Sequence, residues 1–260
     1  MTKSLSEILR RSSRIIVLPL SVIALLGSAP VAYYGVTQKN EEYKTMRTIE
    51  GILGERSMDN DENIAIIMGM VRKESLFHEQ VVGRGSEAGL LQLTPETAQL
   101  HGLRTTKKPL KSSSRLQKLF YLGPGEDAKG DDRFYAEKNL RAGISYFFGL
   151  VDVFQKKYGM NRERAIDFGF ISYNLGLGNV ERLFRIGYSR DPQRFIRRLS
   201  RENLERHGIA NRKRTVVVDY LTRTNRFRRD YQQKIRTMRQ NGVPTLGEYA
   251  SAFVRSIPDV

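Results

Sequence analysis

The chain has 260 residues, 40% of them hydrophobic, a formal net charge of +16 and no cysteine. This length and apolar content suit one good-sized domain with additions, or two small ones. The missing thiol excludes disulfides, cysteine nucleophiles, cysteine-ligated zinc and a lipidated N-terminal cysteine, while the charge favours an anionic partner without specifying one.

Residues 15–36, IIVLPLSVIALLGSAPVAYYGV, carry no charge and are long enough to cross the apolar core of a bilayer. Lys3, Arg10, Arg11 and Arg14 precede them, opposed only by Glu7. The positive-inside rule keeps that end in the cytoplasm and exports the rest. The sequence is therefore read as an anchor over residues 1–43, with the remainder outside the cytoplasm. A cleaved signal segment is the alternative, with Gly27-Ser28-Ala29 as its small-residue site, although Pro30 after it is unfavourable. Export weighs against nucleic acid as a partner.

A short helix is expected over 44–57. Cap-forming residues at 57–63 then start a helix running to about 75, with Ile64, Ile67, Met68 and Val71 on one face. Thr94-Pro95 begins another helix and Gly102 suits its end. Residues 103–133 are polar and basic, with Gly-Pro-Gly at 123–125, and read as a long loop or inserted element. Leu140, Ile144, Phe147, Val151, Phe154 and Tyr158 recur at threes and fours, predicting a helix over 136–158. Further helices follow at about 162–173, around Val180, Leu183 and Phe184, and from Asp191-Pro192 through Phe195, Ile196 and Leu199. The last covers about 214–240 and carries Val217, Tyr220, Leu221, Phe227, Tyr231 and Ile235. No alternating strand pattern occurs, so the fold class is all-α. The dense Arg and Lys of 182–239 are read first as solvated helix faces. Residues 44–240 form the expected domain, with insertions near 103–133 and 188–214, and 241–260 a tail.

The chemistry is narrowed by elimination. His78, His101 and His207 are scattered without metal-ligand spacing, and no Gly-x-Ser-x-Gly elbow is present. No metal or cofactor is expected, and catalysis falls to carboxyls, hydroxyls and amides. Glu74 stands out. It lies three residues beyond Val71 and seven beyond Ile67, on the apolar face of its helix. It also lies in the last turn, where the helix dipole disfavours negative charge. Both effects raise a carboxyl pKa, as a general acid near neutral pH requires. Arg72 and Lys73 are turned toward other faces and are expected to oppose this weakly.

Three ordered stretches carry a resemblance. Glu74-Ser75 followed by Gly89-Leu90-Leu91-Gln92 and Thr97-Ala98 is the first, Asn139-Leu140-Arg141-Ala142-Gly143 with Tyr146 the second, and Ile171-Ser172-Tyr173-Asn174-Leu175-Gly176-Leu177-Gly178-Asn179-Val180 the third. Together they resemble the lytic transglycosylases of the soluble-transglycosylase (SLT) type, over about residues 60–185. The resemblance implies a lysozyme-like helical domain with a cleft for peptidoglycan glycan strands, akin to goose-type lysozyme. It implies non-hydrolytic cleavage between N-acetylmuramic acid and N-acetylglucosamine, with Glu74 as general acid and then general base, ending in a 1,6-anhydro ring. Gln92, Thr97, Tyr173 and Asn174 are the implied substrate-binding residues, and Ser75, Ser86 and Tyr220 the supporting ones. Asn139 reads as structural.

The sequence also departs from that pattern. Gly83 stands where the family often has a substrate-contacting serine. The family's later Glu-Thr-x-x-Tyr-Val motif is reduced to Val216-Val217-Val218-Asp219-Tyr220-Leu221, with Val216 at the acidic position. Three other readings remain open. A hydrolytic muramidase of the same fold would need a second carboxylate, with Glu87 the best placed. A weakly active wall-binding scaffold of an envelope secretion or motility machine would use the basic surface. A nucleic-acid binder has only the charge behind it.

Overall fold

The computed structural model describes residues 20–106, 110–114, 128–201, 205, 208 and 211–241. The Gly-Pro-Gly at 123–125, the tail beyond 241 and the first five residues of the apolar run at 15–36 lie outside them. Eight α-helices form among the described residues: α1 Leu20–Gly54, α2 Asp61–Glu74, α3 Pro95–Leu100, α4 Ala136–Lys156, α5 Arg162–Leu175, α6 Leu177–Arg185, α7 Pro192–Arg201 and α8 Asn211–Asn241. A 3-10 turn covers Asp132–Phe134. The only β-type pairing among the described residues is two isolated bridges, Val82 with Ala88 and Ala88 with Leu93. The class is therefore all-α, as the periodicity implied.

Two compact units divide the chain, Met1–Thr37 and Gln38–Val260. The first contains the start of α1. The short helix expected at 44–57 is the second part of that longer helix, because Gln38-Lys39-Asn40-Glu41-Glu42-Tyr43 holds no glycine or proline to end it. Among the described residues no helix is long and apolar enough to cross a membrane.

In the second unit α2 is the central helix. Asn60 caps it, its side chain accepting from the Asn63 N–H at 2.9 Å. Every residue from Asn63 to Val71 is buried. The sequence showed one apolar face; Ala65, Ile66 and Met70 bury the remaining sides as well, because a helix apolar all round is covered on every side. Each such large side chain contributes about 1.5–3 kcal/mol of burial. α8 lies against α2 at backbone distance. A Cβ on Gly69 would sit 2.9 Å from the Arg228 nitrogen and 3.2 Å from the Thr224 oxygen, so only glycine permits this approach.

α4 and α5 form the second half of the core. Phe147 packs on Phe170 at 5.1 Å and Phe154 on Phe168 at 5.3 Å. Phe168 also meets Phe184 of α6 and Phe195 of α7 edge-on, at 5.1 and 5.2 Å. Such rings bury large apolar areas and fix crossing geometry. Charged bridges tie the long helices together. Arg228 on α8 reaches Glu62 on α2 at 2.7 Å and Glu163 on α5 at 2.8 Å. Lys234 and Tyr231 of α8 both bond the buried Glu42 of α1.

Candidate active site

Glu74 is the last residue of α2. The helix stops there because Ser75 caps it: its N–H bonds the Val71 carbonyl, and its hydroxyl donates to the same oxygen at 3.1 Å. Leu76 and Phe77 follow in the left-handed region, at φ 55° and 67°. That conformation is costly for non-glycine residues. It is held by Phe77, which is buried in the core with its ring edge-on to Tyr231 at 6.2 Å. The same reversal leaves Leu76 48% exposed beside the acid.

The electrostatics of Glu74 follow from this placement. Part of the residue reaches the surface, but its carboxyl is desolvated, and burial raises its pKa to about 7. The Tyr220 hydroxyl and the Lys73 ammonium lower it, while Glu87 raises it further. The Lys73 ammonium is bonded to Asp219 of α8 at 3.2 Å. Arg72 is turned away, its guanidinium 4.7 Å from the centre of the Phe227 ring. The Tyr220 oxygen faces Glu74 closely enough to act on its titration, yet the contact falls short of hydrogen-bond geometry, leaving a buried hydroxyl without a well-formed partner. Among the described residues no ion pair reaches Glu74.

The loop from Val81 to Leu93 forms the neighbouring wall. It contains two further non-glycine residues in the left-handed region, Ser86 at φ 64° and Gln92 at φ 47°. Two buried side chains hold it. Arg133 donates to the Ser86 carbonyl at 2.6 Å and the Leu93 carbonyl at 3.1 Å, and forms a fork with Asp131 at 2.7 and 3.0 Å. Burial pushes the Asp131 pKa up, but Arg133 and two backbone N–H groups outweigh it and hold it low. Asn139 accepts from the Leu91 N–H at 2.8 Å and donates to the carbonyls of Ala88 and Arg133, each at 3.0 Å. Its structural reading agrees with these bonds. Gly143, one turn on, leaves the space that the Leu91 side chain fills.

The residues singled out by sequence are distributed as follows. Tyr173 of α5 donates to the Leu91 carbonyl at 2.7 Å. Burial and the nearby Glu74 raise its pKa well above the ordinary value. Gln92 spends both amide hydrogens on the loop itself, on Gly89 O at 2.8 Å and Val81 O at 3.1 Å, and leaves its carbonyl oxygen over Gly83. Thr97 bonds Thr94 through its hydroxyl at 3.1 Å and its N–H at 3.2 Å, within the α3 cap. Asn174 is half-buried and makes no side-chain hydrogen bond to another described residue. Ser75 closes α2, and Ser86 donates to Leu110 O at 3.4 Å. Gln92 and Thr97 thus spend hydrogen bonds on the turns that hold them.

Sequence reasoning missed Asp131 and Arg133. Their charges lie at the end of a polar, basic stretch, and nothing in the local pattern distinguishes a buried pair from solvated ones. It also missed a line of rings. Tyr146 packs on Tyr173 at 5.4 Å, and His101 meets Tyr146 edge-on at 5.9 Å. The signal available was Tyr146 seven residues beyond Asn139 on the same helix face. No group of His, Asp and Glu able to hold a metal occurs among the described residues.

A family model described as "Transglycosylase SLT domain" matches residues 54–196, more than half of the chain. No curated protein and no solved structure matches it. The matched stretch runs from the end of α1 into α7 and contains Glu74, the Val81–Leu93 loop, Asn139 and Tyr173.

Proposed function

The chain belongs to the SLT transglycosylase family, and on that footing we propose that it is a peptidoglycan lytic transglycosylase in which Glu74 serves as both acid and base. Membership carries the coarser part, a glycan-cleaving activity of the transglycosylase type directed at peptidoglycan. The finer part rests on the placement of Glu74: a desolvated carboxyl at a helix C-terminus, with no ion pair among the described residues, whose pKa burial raises to about 7.

Such a group donates near neutrality. Glu74 gives its proton to the oxygen of the N-acetylmuramic acid to N-acetylglucosamine bond as the C1–O4 bond breaks. The muramoyl C6 hydroxyl then attacks C1, and its proton passes to the Glu74 carboxylate. The product is a 1,6-anhydro ring and the acid is regenerated, so one carboxyl completes the cycle and the usual pair is not required. The substrate N-acetyl group assists at C1.

The remaining roles follow from which polar atoms are uncommitted. Asn174 has amide donors and an acceptor for sugar hydroxyls and acetamido groups. Tyr173 holds the Leu91 carbonyl and so the wall beside Glu74. The Tyr146 ring and the exposed Leu76 give apolar faces on which sugar rings stack. Gln92 and Thr97 shape the loop and the start of α3, with the Gln92 carbonyl as their remaining contact. The N-terminal segment is proposed as a membrane anchor that keeps this domain on the periplasmic side.

The test is digestion of purified peptidoglycan with wild type and Glu74→Gln side by side, read by mass spectrometry. Anhydro-ended fragments from wild type and none from the variant are expected. A wild-type protein that releases no fragments would favour the scaffold reading instead.

A further inference from the structure

Gly83 marks the main departure from the family pattern, and its surroundings give the departure a chemical content. A Cβ at this position would lie 2.5 Å from Glu87 Oε2 and 2.8 Å from Gln92 Oε1. Any side chain there would displace the Glu87 carboxyl, since real Cβ atoms do not approach so closely. The serine is replaced by glycine where a carboxyl from four residues on takes its place. That carboxyl is fixed by the Gly85 N–H, which donates to Oε2 at 2.7 Å. Glu87 also acts on the titration of Glu74, which puts the two carboxyls in one neighbourhood.

The hydrogen-bond inventory of this corner is one-sided. Gln92 has spent both amide hydrogens on Val81 and Gly89. Facing Gly83 are the Gln92 carbonyl oxygen and the Glu87 carboxylate, two acceptors. Their complement is a molecule with two donors. Water supplies two O–H groups and, once both are engaged, presents a lone pair outward. A substrate hydroxyl supplies one.

We propose that Glu87 and Gln92 hold a water in the cleft, and that Glu87 directs a fraction of turnovers to hydrolysis. The inference rests on Glu74 being the acid of a glycan-cleaving site. In the hydrolytic branch Glu74 protonates the leaving O4 and the C1–O4 bond breaks, as before. The water oxygen then bonds C1, and its proton passes to the Glu87 carboxylate. The product is a reducing muramic acid in place of an anhydro ring; Glu87 returns its proton to solvent, and Glu74 takes one up from solvent to regain the acid form.

The experiment digests peptidoglycan with wild type, Glu87→Gln and Glu87→Asp, and compares new reducing ends with anhydro ends after borohydride reduction and mass spectrometry. The readout is the ratio of the two products, so it does not depend on total rate. Wild type yields both. In Glu87→Gln the reducing fraction falls at least tenfold, because the carboxamide cannot accept the proton, consistent with the 10²–10⁴ supplied by a general base. Glu87→Asp keeps a carboxyl and recovers part of that fraction. Wild type that makes anhydro ends alone overturns the inference and leaves the transglycosylase reading standing. An unchanged ratio in Glu87→Gln also overturns it. Absence of any cleavage removes the reading beneath it, and the inference with it.

Discussion

Glu74 at the end of α2 and Asp131 before the 3-10 turn are both carboxyls taken out of bulk water, and their surroundings treat them oppositely. Asp131 meets the Arg133 fork and two backbone N–H groups, and its pKa is held low. Glu74 meets a tyrosine hydroxyl without good geometry and a second carboxyl, and its pKa rises to about 7. A buried charge with every lone pair engaged is fixed and inert. A buried carboxyl left short of partners keeps its proton and is poised to give it away. One arrangement holds the cleft wall; the other leaves a group that the wall does not neutralise.

The largest expected effect tests the reactive half of this contrast. Glu74→Gln should lower peptidoglycan cleavage by roughly 10³-fold or more, within the range for a general acid. Wild-type cleavage should decline on the alkaline side of about pH 7 as the proton is lost. Stability should move the other way in the variant. Folded Glu74 keeps its proton to about pH 7 and the unfolded chain releases it near 4.5. Folding therefore takes up a proton in that window, and wild-type stability falls as pH rises through it. Glu74→Gln escapes this cost and should unfold later than wild type above pH 7, by on the order of 2–3 kcal/mol. Thermal melts at pH 4 and pH 8 check it; equal melting at both would sever burial from the raised pKa.

Arg133→Met tests the inert half. It leaves Asp131 buried without its cation and frees the carbonyls of Ser86 and Leu93. Removing one partner of such a pair costs about 3–5 kcal/mol. Chemical denaturation should register this loss. Replacing both partners by apolar residues should recover part of it. If Arg133→Met melts like wild type, the pair does not hold the loop.

Gly83→Ser joins the two regions through the loop between them. It restores the hydroxyl the family often has, and it pushes on Glu87 and Gln92 at 2.5 and 2.8 Å. Overpacking of this kind costs about 1–3 kcal/mol. Side chains in a half-exposed loop can yield, so the low end is expected. Calorimetry checks the cost, and the reducing fraction of the products should fall along with it.

The helical class, most helix starts and the inward phase of Glu74 were legible in the sequence because each is a local signal. Asn60, Thr94-Pro95 and Asn161 cap their helices by rules written within four residues. The three stretches that suggested the family are local too, and they fall inside the matched region. What stayed hidden depends on distant pairing. Arg133 meets Ser86 and Leu93 across 47 and 40 positions, and Lys73 meets Asp219 across 146. The reduced motif at 216–221 is another case. Val216 is exposed, whereas Asp219 on the same helix supplies the carboxylate that pairs with Lys73. Which acid of that stretch matters could not be read from order alone. Gln92 was an implied substrate-binding residue, and only the folded loop shows that its amide hydrogens go to Val81 and Gly89.

Tyr220→Phe gives the smallest effect and cuts most finely between the two kinds of burial. The hydroxyl is buried, lacks a well-formed partner and still lowers the Glu74 pKa. Removing it withdraws the last neutral group that favours the carboxylate, so Glu74 should hold its proton to higher pH. The alkaline limb of the cleavage profile then shifts upward, by less than about one pH unit. Stability should hold or improve slightly, because an unsatisfied buried hydroxyl costs about 1 kcal/mol or more and phenylalanine keeps the ring. A loss of stability comparable to Arg133→Met would mean that Tyr220 is bonded as Asp131 is. A downward shift of the limb would mean that its hydroxyl does not face the acid.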